Sequence, residues 1–144
     1  NHNYMTTAQR TRTKSAHKAP TVLLTSNRKV APWGKSASID LHACAHNRLT
    51  SKTLLKNFVK EVIDIINMQA HGPCHIDRFG EGNLEGYSAI QFIETSSITV
   101  HLDERWDRAF IDIFSCKDFD ADKALSFCKE YFGAKQSKIV VLDR

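Results

Sequence analysis

The sequence predicts an α+β fold, a two-layer α/β sandwich in which two helices cover one face of a mainly antiparallel sheet. Two segments show the three- and four-residue spacing of apolar side chains that is typical of amphipathic helices. The other apolar runs are short, rich in β-branched residues and bounded by turn residues, as strands are. The predicted order is β-α-β-β-β-α-β.

The first helix is predicted from Lys52 to Met68, where the apolar residues form one broad stripe. A hydroxyl at Thr50 or Ser51 suits its N-cap, because it can accept from a free backbone N–H group of the first turn. The second helix opens at the acidic pair Asp118 and Asp120. Gly133 suits the left-handed position that ends this helix.

Strand-like runs account for most of the remaining chain. The stretch from 80 to 86 contains three glycines but no following P-loop lysine and serine, so it predicts a turn or a substrate loop. A short connection, Glu94-Thr95-Ser96, separates two of the runs. The predicted strand runs are 36–44, 74–79, 87–93, 97–101, 109–116 and 137–142.

The charge of the chain divides it into two parts. Residues 1–39 contain seven basic and no acidic side chains, whereas the remainder has a net charge of −3. We predict a basic, flexible arm over residues 1–33 and one folded domain over residues 34–144. No nucleic-acid motif accompanies the basic residues, so a solvated tail is favoured over nucleic-acid binding. No apolar run reaches the roughly 18 residues that cross a bilayer, so no membrane association is expected.

The four cysteines show neither a CxxC pair nor a metal-ligand spacing. Together with the absence of a visible secretory signal, this predicts free thiols and a cytoplasmic protein. Four histidines near two of the cysteines raise the question of zinc, but their spacings match no known ligand pattern, so no metal is expected. These residues are His42, His46, His71 and His75, with Cys44 and Cys74.

The stretch from Gly86 to Cys116 carries the chemically reactive side chains. A serine, a histidine and a cysteine on paired strands are compatible with a serine hydrolase, although no G-x-S-x-G motif is present. They are also compatible with a cysteine nucleophile paired with His101. A third possibility is self-processing, in which Ser96 attacks its own preceding carbonyl and the chain is cut. A fourth is a core strand pair that carries incidental small polar residues.

The spacing of these residues resembles that of the bacterial and archaeal S-adenosylmethionine decarboxylases. Gly86-Tyr87-Ser88 is similar to the family's G-x-S element, and the processing serine, here Ser96, follows eight residues after Ser88. His101 comes five residues after Ser96, and the run 109–116 closes on Cys116 fifteen residues after His101. Gly34-Lys35 is similar to the family's start, so the resemblance covers about residues 34–142.

The resemblance implies a pyruvoyl-dependent decarboxylase of S-adenosylmethionine, acting in polyamine biosynthesis and made by self-cleavage at Thr95–Ser96. Ser96 would become the pyruvoyl cofactor, whose carbonyl forms a Schiff base with the substrate amine and acts as the electron sink. Ser88 and His101 would assist the cleavage, and Cys116 would protonate the product carbon. Family members are homodimers or larger assemblies, so we expect a homodimer.

The chain also departs from the family pattern. Thr95 precedes the processing serine where the family has glutamate, and Gly82 stands where an aromatic residue is expected. The family's T-W-P-E run reads here Leu102-Asp103-Glu104-Arg105, which removes an aromatic residue that the family uses to hold the adenine ring. Phe79 or Trp106 would have to supply this contact with adenine. Two alternatives therefore stay open: a pyruvoyl decarboxylase of ornithine or arginine, and an unprocessed, non-catalytic homologue that acts as a partner subunit.

Overall fold

The structure, a computed structural model, describes residues 30–144. The predicted basic arm therefore lies almost entirely outside the described residues. The described chain contains six strands, β1 (Lys35–His42), β2 (His75–Phe79), β3 (Gly86–Ile93), β4 (Ser96–Asp103), β5 (Arg108–Ser115) and β6 (Gln136–Asp143). Its helices are α1 (His46–Leu49), α2 (Lys52–Ile65) and α3 (Ala121–Phe132).

All six strands form one sheet in the order β2-β3-β4-β5-β1-β6, and every neighbouring pair is antiparallel. The helices α2 and α3 contact each other and the sheet. The predicted α+β sandwich is thereby confirmed. β1 lies between β5 and β6, so the first and last strands of the described chain are neighbours in the sheet.

Four strands lie between α2 and α3, in agreement with the six predicted strand runs, so the predicted order β-α-β-β-β-α-β is one strand too short. Glu94 and Thr95 form a two-residue turn, and Ile93 pairs directly with Ser96 across it. The chain from β3 to β4 is therefore a hairpin of two full strands. The structure also contains the short helix α1, which lies between the predicted strand 36–44 and the predicted helix from Lys52. Its four residues are too few for a periodic pattern, and Ala45 at its N-cap makes no capping side-chain bond.

The predicted helix ends are largely confirmed. The Ser51 side chain accepts a hydrogen bond from the Leu54 backbone N–H at 3.2 Å, and Asp120 caps α3 in the same way. Gly133 ends α3 in the left-handed conformation with φ of 62°. The helix α2 ends at Ile65, before the predicted Met68, because the chain already turns there.

The core lies between the helices and the inner face of the sheet. Phe58 of α2 is fully buried, and its ring centroid lies 4.6 Å from that of Phe132 of α3. Packing of large aromatic rings between two helices supplies much of the buried apolar area of a small domain. The hydroxyl of Tyr131 donates to the Leu54 carbonyl at 2.7 Å and ties the same two helices together.

The other face of the central sheet carries no described helix, and we call it the open face. Side chains alternate between the two faces of a strand, so the buried inner residues identify the outer ones. Phe92 at 57% exposure and Ile90 at 46% are conspicuous among them. The open face consists of Ser88, Ile90, Phe92, Ser97, Thr99, His101, Phe110, Asp112 and Phe114.

The three helices of the described residues are all too short or too polar to span a membrane.

Candidate active site

The β3–β4 turn presents the Thr95–Ser96 bond at one end of the sheet. Ser96 is the first residue of β4, and only 9% of its surface is exposed. Its hydroxyl oxygen accepts a hydrogen bond from the Cys116 backbone N–H at 2.9 Å. The end of β5 therefore returns to the serine. A shallow cavity of about 610 Å³ opens beside the bond, lined by His71 and the run from Phe92 to Ser97.

Thr95 has an unusual backbone conformation. Its φ is 59°, in the left-handed region that β-branched residues rarely occupy. Residues held in such conformations cost about 1–3 kcal/mol, and they persist where the surrounding structure fixes them. The Thr95 hydroxyl donates to the Glu94 carbonyl at 2.8 Å and also contacts the Cys116 sulfur. Thr95, Ser96 and Cys116 therefore form one contiguous cluster around the predicted cleavage bond.

The chain segments on either side hold this cluster in place. The Glu94 backbone N–H donates to the Gln69 carbonyl at 3.1 Å, which fixes the turn against the segment after α2. On the other side, Lys35 donates to the Phe119 carbonyl at 2.8 Å and pairs with Asp118 at 2.5 Å. The hydrogen bond from Lys35 lowers the pKa of Asp118. The loop that follows Cys116 is thus anchored at the start of β1.

Ser88 and His101 form a second pair, on the open face. They lie directly opposite each other on β3 and β4, and the serine hydroxyl lies 2.9 Å from the imidazole Nδ1. One cavity beside this pair is also lined by Phe79, and a second cavity beside His101 is lined by Trp106. Both aromatic side chains are more than half exposed, at 56% and 63%.

The Ser96–Cys116 contact and the Ser88–His101 pair lie apart within one chain. Ser96 and His101 are separated by five residues of the extended strand β4, or about 16 Å. Their side chains also point to opposite faces of the sheet, because the separation is an odd number of residues. Cys116 lies at the Ser96 end, so neither a Ser96–His101 pair nor a Cys116–His101 pair exists in one protomer. This geometry disfavours the hydrolase and the cysteine-nucleophile interpretations within a single chain.

All four residues are predicted as one cluster from the sequence, although the odd spacing of Ser96 and His101 along a predicted strand already indicates opposite faces. The contribution of Gly34 is not predicted. The Gly34 backbone exchanges hydrogen bonds with Arg144, and its α-carbon lies close to Ser115 and Cys116. A contact between residues so distant in sequence leaves no local pattern.

Two of the other thiols, those of Cys44 and Cys128, are buried in the core. Burial raises the pKa of the Cys44 thiol to about 11, helped by the nearby Asp107 carboxylate. Burial raises the pKa of the Cys128 thiol to about 12. Both thiols are therefore protonated at neutral pH and shielded from reagents. Among the described residues, no group of three or more His, Cys, Asp or Glu side chains is placed to hold a metal ion.

Comparison with known proteins identifies the family. A family model described as S-adenosylmethionine decarboxylase matches residues 35–144. The S-adenosylmethionine decarboxylase proenzyme of Saccharolobus islandicus (strain L.S.2.15) is 31% identical over 112 residues, which cover 77% of this chain and 88% of the relative. The proenzyme of Saccharolobus solfataricus is 30% identical, with coverage of 77% and 86%.

A solved structure shares the fold. The crystal structure of the adenosylmethionine decarboxylase from Aquifex aeolicus VF5 superimposes with a TM-score of 0.69, covering 80% of this chain and 92% of that one. At 16% sequence identity this likeness concerns the fold alone. The match of the family model over the whole described domain, together with the identity to the Saccharolobus proenzymes, shows that the chain belongs to the S-adenosylmethionine decarboxylase family.

Proposed function

We propose that this protein is a proenzyme that cuts itself at Thr95–Ser96 and then decarboxylates S-adenosylmethionine, a reaction that supplies polyamine biosynthesis. One observation carries the proposal: the Cys116 segment at the end of β5 contacts both Thr95 and Ser96 at the anchored turn that presents the Thr95–Ser96 bond. Family membership supports the substrate, since the relatives are named for S-adenosylmethionine.

The residues at the turn fit a pyruvoyl group formed from Ser96. The serine hydroxyl is largely buried and accepts from a backbone N–H, and a thiol lies at the same turn. Once formed, a pyruvoyl group supplies an electrophilic carbonyl that accepts the electron pair left by CO₂. Cys116 returns a proton to the product carbon, a task for which a thiol beside the reacting end is suited.

The separation of the two pairs supports a homodimer whose active site uses both copies. The open face exposes apolar side chains around Ser88 and His101, and exposed apolar patches of this kind mark association surfaces. If two open faces pack together, the partner's His101 can approach the Ser96 end of the first copy. In this arrangement Ser88 orients the imidazole, which moves the proton that cleavage requires.

The two exposed aromatic side chains beside His101 support binding of an adenosyl group. The bidentate pair between Arg78 and Glu104 ties the end of β2, next to Phe79, to the β4–β5 turn that carries Trp106. Flat aromatic faces bind a purine by stacking. Ornithine and arginine lack such a ring, so this feature favours S-adenosylmethionine over both. A cytoplasmic location belongs to the same proposal, because the described cysteines are free thiols.

Intact mass under denaturing conditions tests the cleavage. The purified protein should give two fragments, residues 1–95 and 96–144, the second with a blocked N-terminus that reacts with hydrazine. The Ser96→Ala variant should stay uncut. Release of CO₂ from S-adenosylmethionine, compared with ornithine and arginine, tests the substrate. A single full-length chain that hydroxylamine never splits would overturn the proposal and leave the non-catalytic partner subunit.

A further inference from the structure

The turn that presents the cleavage bond has a residue that does not suit its conformation. The β3–β4 loop has two residues, and only the second, Thr95, has a positive φ. This sign pattern is that of a type II turn, which normally places glycine or asparagine at that position. Two-residue hairpins also prefer the mirror-image turns, whose twist matches that of the strands.

Thr95 is unusual even among the strained residues of this protein. Three other described non-glycine residues have positive φ, and none of them is β-branched: Ala43, Asn67 and Asp107. Asparagine and aspartate tolerate the left-handed region because their short polar side chains bond locally. Threonine has a branched Cβ that crowds its own backbone there. The most strained of these conformations therefore lies directly before the cleavage bond.

The neighbouring contacts prevent the turn from relaxing. The Glu94 N–H group is bound to Gln69, and the adjoining residue Ile93 forms an isolated bridge with Ala70. On the other side the Ser96 hydroxyl is held by the Cys116 N–H group. A strained conformation persists when its surroundings fix it from both sides.

We infer that Thr95 is a positioning residue for self-cleavage, whose strained backbone conformation favours transfer of its acyl group to Ser96. This inference rests on the proposed function. In the transfer, the Ser96 oxygen bonds to the Thr95 carbonyl carbon, the C–N bond breaks, and the nitrogen gains the hydroxyl proton. The resulting ester lengthens the chain between the two residues by one atom, which lets the turn relax. Loss of the Ser96 α-proton then breaks the bond between the Ser96 Cβ and the ester oxygen, which releases the Thr95 carboxylate. Water then replaces the nitrogen of residue 96, and this nitrogen leaves as ammonia.

The decisive variant is Thr95→Gly, because glycine adopts positive φ without strain. In the Ser96→Ala background, which cannot cut, this change should raise the melting temperature by about 2–4 °C. With Ser96 present, the same change should slow cleavage about tenfold, as followed by intact mass after synthesis. A merely structural role would not make the fold more stable and the cleavage slower.

Two further variants separate backbone strain from the hydroxyl group and from chain flexibility. Thr95→Val keeps the branched Cβ but removes the hydroxyl, so it should cut within about threefold of the native rate. Thr95→Asn relieves part of the strain without the added backbone freedom of glycine, so its cleavage rate should fall between those of Thr95→Gly and the native protein. Equal cleavage rates for Thr95→Gly and the native chain would overturn the inference, and so would a valine variant as slow as the glycine variant. If the native chain is never cut, the proposed function itself fails.

Discussion

Gly34 lies against the backbone that carries the reactive thiol. A methyl group at this position would overlap the Ser115 carbonyl oxygen and would lie 3.0 Å from the Cys116 α-carbon. The neighbour is backbone, which cannot rotate away as a flexible side chain can. The absence of a side chain at Gly34 thus sets how closely the start of β1 packs onto the Cys116 segment.

Gly34→Ala should therefore displace Cys116 and slow cleavage at Thr95–Ser96 by tenfold or more. The overlap should also destabilise the fold by about 1–3 kcal/mol, typical of forced overpacking. Intact mass measured over time gives the cleavage rate, and urea unfolding gives the stability. Gly72→Ala is the matched control, because Gly72 has positive φ but open space around it. It should cost stability while the cleavage rate stays native, and equal rates for both variants would contradict the role of Gly34.

Residue spacing singled out Ser88, Ser96, His101 and Cys116 as one group, and it did not divide them into pairs. In the fold Ser96 contacts the Cys116 segment at one end of the sheet, whereas Ser88 and His101 lie opposite each other on the β3–β4 hairpin. Spacing along the chain did not predict the backbone conformation of the turn. The strain at Thr95 depends on a backbone angle that the surrounding contacts impose, and a Thr-Ser dipeptide alone does not indicate it.

At the scale of elements, α3 couples the ionisation of a thiol to the stability of the fold. Cys128 is completely buried within the core, and burial raises its pKa from 9.0 to about 12. In the unfolded chain this thiol ionises near its ordinary value. The unfolded state therefore loses its proton first as the pH rises, and alkaline conditions favour unfolding. Below about pH 9 both states keep the proton, and the contribution is constant.

The midpoint of urea unfolding should accordingly fall as the pH is raised from 8 to 10.5, with Cys44 adding to the effect through its own raised pKa. Other groups also titrate in this range, and Tyr131, whose pKa burial raises, is one of them. Comparison with Cys128→Ala isolates the thiol: this variant should start lower at pH 8 and decline less steeply. Parallel curves for the two proteins would exclude Cys128 as a cause.

The elements themselves were largely predictable, because helix caps and strand periodicity are local signals. Ser51, Asp120 and Gly133 all lie at the helix ends that their residue types predicted. All six strand runs were predicted as well, but the predicted order β-α-β-β-β-α-β counted only three of the four runs between the two long helices. The short helix α1 fell below the length at which periodicity can be recognised.

At the scale of the whole molecule, the proposed sharing of the active site between two copies of the chain predicts complementation between inactive variants. A mixed dimer of Ser96→Ala and His101→Ala chains contains one site in which both Ser96 and His101 are native. Co-expression should therefore restore S-adenosylmethionine decarboxylation to a fraction of the native level, although each variant alone loses it. Intact mass should show that only the His101→Ala chain is cut.

Co-expression of Ser96→Ala with Cys116→Ala is the matched control. These two residues belong to the same end of one chain, so no site in the mixed dimer regains both. Activity in this control, or none in the Ser96 and His101 mixture, would argue against a site shared between two copies. Sequence spacing could not predict such sharing, because it depends on the surface by which two folded chains meet.

The sheet order decides what becomes of the chain once it is cut. Cleavage at Thr95–Ser96 would assign β1, β2 and β3 to one polypeptide and β4, β5 and β6 to the other. In the order β2-β3-β4-β5-β1-β6 the strands of the two polypeptides are interleaved, with β1 inserted between β5 and β6 of its counterpart. Three ladders would then join separate molecules, so the cut protein should stay assembled without a covalent link. Its unfolding would release two fragments, and reassembly would become a bimolecular reaction, slower at high dilution. Self-cleavage would thus make folding difficult to repeat, and the protein would depend on having folded before it was cut.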